Sequence, residues 1–155
     1  MRCGGMVNVR LHLGSPMVGV LVALAVAVGG CRPGPVEGPP LDGTRWVLVA
    51  LDGEPPLPGA APSADFSAEQ ITGSTGCNQY FGEYVALGGD ITIGDLARTE
   101  RYCMDPEGVM DQEEAVLNAL TSATSYRLTG AQLELLDADD HVVLEFEPAA
   151  AVPDR

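Results

Sequence analysis

The stretch "SYRLTGAQLELLDADDHVVLEFE", Ser125 to Glu147, moves between apolar and polar residues almost one position at a time. Tyr126 and Leu128 share a parity, as do Leu133 and Leu135, and then Leu144 and Phe146. Successive side chains of an extended chain point to opposite faces, so each run has one face to bury. Gly130 and the pair Asp139-Asp140 interrupt the runs where hairpin turns belong. The spacing predicts consecutive antiparallel strands.

The pattern recurs upstream. "YVALGGDITIGDL" (Tyr84 to Leu96) gives two strands about Gly88-Gly89, and "ADFSAEQITGS" (Ala64 to Ser74) two short runs about a polar turn. "TRWVLVAL" (Thr44 to Leu51) is rich in β-branched and aromatic residues. One segment breaks the rhythm. In "DPEGVMDQEEAVLNALTS", Asp105-Pro106 stand where a helix cap and first helical position belong, and acids cluster in the first turn. Val109, Val116, Leu117 and Leu120 then fall on one helical face. The expected fold class is α+β: mainly antiparallel β, a partly closed barrel-like sheet, with one α-helix packed on it.

The ends read differently. Arg2 and Arg10 precede the uncharged run "PMVGVLVALAVAVGGC", which ends on small residues before Cys31. This describes a secretory signal over residues 1–30, and its "VGGC" ending resembles a lipoprotein signal that would make Cys31 the acylated first residue. The segment from 31 to 40 is rich in Pro and Gly and reads as a stiff tether. The folded domain is expected over 41–147, and 148–155 as a disordered tail. Removing residues 1–30 from the 155 leaves 125, the size of one domain. It also takes two of the 8 basic residues and none of the 22 acidic ones, moving the formal charge from −14 to −16. Such a surface repels phosphate backbones, so nucleic acid is not an expected partner. Attachment to a membrane would come from acyl chains.

Little in the chain offers catalysis. "GSTGCNQYFGEY" (Gly73 to Tyr84) sets Cys77 among glycines, and Cys103 is the other cysteine beyond the tether. A nucleophilic cysteine needs a base, and His141, flanked by Asp139 and Asp140, reads as a polar turn residue. Two cysteines and one histidine match no zinc spacing, and "DADDH" lacks the glycine and distant glutamate of a calcium loop. No cofactor or metal is expected. In an exported domain Cys77 and Cys103 read as a disulfide, the alternative being two buried free thiols.

"GTRWVL", "GSTGCNQYFGEY", "TERYC", "EAVLNAL" and "YRLTGAQLELLD" occur in that order between Leu41 and Phe146. Together they resemble the META/HslJ-like domain family. The resemblance implies a small β-rich domain of bacterial envelope proteins, often linked to stress and without an established enzymatic activity. It also implies that Trp46, Gly76, Cys77, Asn78, Thr99, Cys103 and Glu113 hold characteristic positions. Tyr80, Gly82 and Tyr84 complete the glycine-cysteine motif. Before the second cysteine the family commonly has Arg, an apolar residue and Ala, whereas this chain has Glu100, Arg101 and Tyr102.

The functional expectation is a non-enzymatic envelope lipoprotein serving envelope integrity or stress tolerance, monomeric, and held in the outer membrane if the host has one. The alternative is a protein-binding module, such as an inhibitor of an envelope hydrolase, using loops like Leu51–Pro62 on an unknown envelope partner. One pairing is expected inside the fold. Glu113 falls at the centre of the helix's apolar face, where an ionised carboxylate needs a partner. In an extended run Arg101 shares a side with Thr99 and Cys103, which makes Arg101 the candidate partner; the alternative is that Arg101 extends into solvent and Glu113 accepts backbone or hydroxyl hydrogen bonds.

Overall fold

The computed structural model describes residues 40–150; the expected signal, the expected lipidation site Cys31, the expected tether as far as residue 39 and the expected tail from 151 onward lie outside the described residues. Nine strands and one helix follow in chain order. They are β1 (Thr44–Leu51), β2 (Ser63–Ser67), β3 (Gln70–Ser74), β4 (Gln79–Leu87), β5 (Asp90–Ile93) and β6 (Ala97–Arg98), then α1 (Val109–Ser122), β7 (Ser125–Thr129), β8 (Gln132–Leu136) and β9 (Val142–Pro148).

Every pairing is antiparallel, in the order β3-β2-β1-β9-β8-β7-β5-β4, and β3 also pairs with β4. The sheet therefore closes into an eight-stranded barrel, more completely than the sequence alone suggests. The length of β4 makes this possible. It pairs with β3 through Gln79–Glu83 on one edge and with β5 through Tyr84–Leu87 on the other. Tyr80 and Phe81 are paired with β3 and β6 at once, which puts β6 on the edge opposite β3. Closure gives each of the eight barrel strands a neighbour on both sides. The thinnest seam is β5 against β7, with one register pair, Asp90↔Ser125, flanked by bonds from Ile91 to Thr124 and from Tyr126 to Gly89.

Period-two alternation fills the interior. Trp46, Leu48, Phe66, Ile71, Tyr80, Ile91, Leu133, Leu144 and Phe146 are all buried in one cluster. Shifts of register at Leu48/Ala50 and Leu135/Leu136 mark bulges. At the second, the extra residue is Val143 of β9, and consecutive Val143 and Leu144 are both buried, which strict alternation forbids and a bulge permits.

Helix α1 lays Val116, Leu117 and Leu120 into the same core and packs against β5 and β9. Its start differs from the sequence reading. The residue before the helix is Gly108, with left-handed backbone (φ 85°) and no side-chain cap, and Asp105-Pro106 stand before it joined by a cis peptide bond. The apolar stripe begins at Val109, so packing, and not the Asp-Pro signal, sets the first turn. The far boundary also moves. Pro148 pairs with Trp46, and the Ala149 amide donates to the Arg45 carbonyl, so the tail cannot begin at 148.

Candidate functional site

The motif "GSTGCNQYFGEY" supplies the end of β3, a tight turn and most of β4. Gly76 in that turn has φ 102°, and a Cβ there would lie 2.5 Å from the Ala60 carbonyl oxygen. Only glycine meets both demands. The turn delivers Thr75, Cys77 and Asn78 to the first turns of α1, which brings Gln112 and Glu113. Above them along the helix lies the main core, and below them a small cluster of Val109, Cys77 and Ala60, with Leu57, Cys103 and Met110 packed on it. The polar node separates the two.

Glu113 is 1% exposed. Its Oε2 accepts from the Thr75 hydroxyl at 2.6 Å and from Asn78 Nδ2 at 2.9 Å, and its Oε1 lies 3.3 Å from Arg98 Nε. All of these neighbours donate, which suits an acceptor-only carboxylate. The arginine is not the expected one. Arg101 is exposed, and Arg98, with its side chain 49% exposed, reaches inward instead. The physical reason is that regular pairing ends at Arg98, so strand alternation no longer governs Arg101.

Asn78 binds the irregular segment after β6 through both ends of its amide. Oδ1 accepts from the Thr99 hydroxyl (2.6 Å) and the Arg101 amide (2.8 Å), while Nδ2 donates to the Arg101 carbonyl (2.9 Å). Cys77 is bonded to Cys103 in a disulfide, with Cα atoms 5.9 Å apart, which holds the same segment from its other end. Gln112 does the equivalent for the loop before β2. It accepts from the Leu57 amide (2.7 Å) and donates to the Ala60 carbonyl (2.8 Å) and the Thr75 carbonyl (3.2 Å). Among the described residues no buried side-chain polar atom lacks a partner.

The sequence-derived residues thus divide. Gly76, Cys77, Asn78, Thr99, Cys103 and Glu113 converge. Trp46, Tyr80 and Tyr84 belong to the barrel core, and Gly82 lies beside them in β4. Tyr80 donates to the Ser63 carbonyl at 2.8 Å, and burial, with Asp65 adding, pushes its pKa well above the ordinary tyrosine range. His141 sits in the β8–β9 turn, where Asp137 Oδ1 accepts from the amides of Asp139 and His141. Those bonds, with the imidazole 3.7 Å away, hold the Asp137 carboxyl below its usual pKa. Asp137, Asp139 and His141 are close enough to meet one ion, but their bonds already explain them as a turn.

Three residues of the node escape the sequence reading: Thr75, Gln112 and Arg98. Thr75 lies inside the quoted motif, and Gln112 stands three residues after Val109 and four before Val116, on the apolar stripe where a polar residue is a signal. Arg98 carries no signal, since its partner lies across the fold.

The chain and its fold are similar to known proteins. A family model described as the META domain matches residues 39–150. The chain belongs to the META domain family. Heat shock protein HslJ of Escherichia coli is 26% identical over 125 residues, covering 78% of this chain and 89% of HslJ. An NMR structure of a protein from Burkholderia xenovorans is similar with a TM-score of 0.58 and 31% identity, over 71% of this chain and 84% of that one. A DUF4847 family protein from Bacteroides vulgatus shares the fold alone, at TM-score 0.53 and 17% identity, over 69% of this chain and 93% of that one. In this META domain the glycine-cysteine-asparagine motif is the joint between barrel, helix and the segment that Cys103 ends.

Proposed function

We propose that this META-domain protein is an envelope lipoprotein anchored through Cys31, acting without catalysis in envelope integrity or stress tolerance. The observation that carries the reading is the use of its reactive groups. The sulfurs of Cys77 and Cys103 are bonded to each other, and the buried carboxylate has protein donors on both oxygens. Such a node rigidifies a fold and presents no free nucleophile to a substrate. The name of the HslJ relative supports the stress component. Acylation at Cys31 would place the domain at an outer membrane facing the periplasm in a double-membraned host.

The test joins location to phenotype. Cys31→Ser should move the protein from the membrane pellet to the soluble fraction or leave it unprocessed, and a deletion strain should lose viability under heat or envelope-damaging agents. Complementation by wild type but not by Cys31→Ser is the expected result. A soluble wild-type protein with a different mature N-terminus, or a deletion without any stress phenotype, would count against the reading.

One observation favours a second reading, a protein-binding module such as an inhibitor of an envelope hydrolase. Tyr102 and Met104 are 81% and 84% exposed on a segment held by Asn78 and Cys103. Large side chains displayed on a fixed backbone suit interface anchors. The Leu51–Pro62 loop suits this less, because Gln112 ties Leu57 and Ala60 to the helix. Capture of an envelope hydrolase that Tyr102→Ala abolishes would favour this alternative.

A further inference from the structure

A groove of about 490 Å³ opens where the β2–β3 turn, the β4–β5 hairpin and Tyr126 of β7 meet. That volume suits a small molecule. Its lining includes two carboxylates, Asp42 and Glu69, two phenols, Tyr84 and Tyr126, and no basic residue. Tyr84 is only 6% exposed, and among the described residues nothing hydrogen-bonds its hydroxyl. Since no sealed polar atom there lacks a partner, that oxygen opens into the groove. The contrast with Tyr80, whose hydroxyl is engaged by Ser63, makes the open one notable.

The surroundings point to one sign of charge. Burial, Asp42, Tyr126 and Glu69, in that order, push the Tyr84 pKa upward, as expected where negative groups gather around a phenol. Glu69 stands in a two-residue turn with φ 65°, following Ala68 at φ 51°. Such turns favour Asn-Gly, yet this one sets a carboxylate at the lip. Beside it Val85 and Leu87 are each 68% exposed, an apolar rim the core does not use.

We propose that this groove binds a small primary alkylammonium ion, its ammonium at the Tyr84 hydroxyl near Asp42 and Glu69 and its alkyl chain along Leu87. A primary ammonium carries three donors and no acceptor, the complement of a lining whose charged groups only accept. A quaternary ammonium would need an open aromatic face, and both tyrosine rings are buried. This site is separate from the Glu113 node and stands apart from the envelope reading.

The test titrates the full-length protein with n-hexylammonium and follows the tyrosine ring resonances by NMR. Saturable shifts at Tyr84 and Tyr126 are expected, with affinity about tenfold weaker in Tyr84→Phe and in the Asp42→Asn/Glu69→Gln double variant. Tyr84→Phe keeps the ring that packs edge-on against Phe66 at 4.9 Å, and Asp42→Asn retains a side-chain acceptor for the Ala68 amide. Both variants should therefore fold, as circular dichroism checks. 1-Hexanol and hexanoate at the same concentrations should leave the resonances in place. Equal binding of hexanol, wild-type affinity in the two variants, or no binding of hexylammonium overturns the proposal. Tighter binding of a lysine peptide than of hexylammonium would replace the small ligand with a protein partner.

Discussion

Glu113 shows how much one side chain organises. Its carboxylate draws Thr75 from the β3–β4 turn, Asn78 from the same turn and Arg98 from β6 onto one helix. Glu113→Ala strands the Thr75 and Asn78 donors in a dry site and should cost about 2–4 kcal/mol. Arg98→Met should cost only about 0–1 kcal/mol, because half of that side chain is solvated. Denaturant unfolding of a double-mutant cycle checks the assignment. Arg98 and Glu113 should couple measurably, whereas Arg101→Met and Glu113→Gln should be additive; coupling of Arg101 instead would contradict the described geometry. Gly76→Ala meets the Ala60 carbonyl as well as a positive φ and should cost at least about 2 kcal/mol, read by the same unfolding curves.

Among the elements, two connections are open to test. Residues Ala68 and Glu69 form the β2–β3 turn with positive φ at both, a conformation that disfavours residues with a Cβ. Replacing them with Asn-Gly should stabilise the domain by about 1 kcal/mol and raise its melting temperature. The same change should weaken hexylammonium binding if Glu69 contributes a charge at the groove. The second connection is the disulfide, which closes a loop with a sequence separation of 26. Its reduction should destabilise by about 3.5 kcal/mol in the chain-entropy account, measured as the shift of the denaturant midpoint with and without reductant. Asn78 holds the same segment by three bonds of its own, so the reduced protein should retain the barrel's far-ultraviolet spectrum.

At the scale of the molecule, Tyr80, Tyr84 and Tyr126 all project into the barrel core and have pKa values raised, principally by burial. Raised values mean that the folded state holds the phenolic protons more tightly than the unfolded chain. Their contribution to stability is therefore complete below the ordinary tyrosine value of 10 and is lost as pH rises above it through the folded values. Alkaline titration followed by tyrosinate absorbance should show one of the four tyrosines, the sealed Tyr80, ionising only together with loss of the near-ultraviolet circular dichroism. Ionisation of all four tyrosines with the tertiary signal intact would contradict the burial of Tyr80. Tyr80→Phe removes the strongest of these responses, and at neutral pH it should cost about 0.5–1.5 kcal/mol for the lost bond to Ser63.

What could be read from the chain followed from local rules. Alternation over Ser125–Glu147 and Tyr84–Ile93, Gly88-Gly89 at a hairpin tip and the stripe Val109, Val116, Leu117, Leu120 each depend on neighbours a few residues away. The family motif carried Asn78 and Glu113 in the same manner, as a pattern along the sequence. Burial of Glu113 also followed from its place on that stripe. Its arginine did not. Arg98 and Arg101 are three residues apart, and the choice between them depends on where β6 stops pairing with β4, a long-range event. Closure of the barrel, Gln112 as the staple of the Leu57–Ala60 backbone, and the meeting of Tyr84 with Asp42 and Glu69 are equally tertiary. Periodicity says which face of each element is buried; only the packing of strands distant in sequence says which polar groups share that interior, because their energies depend on contacts that local spacing does not encode.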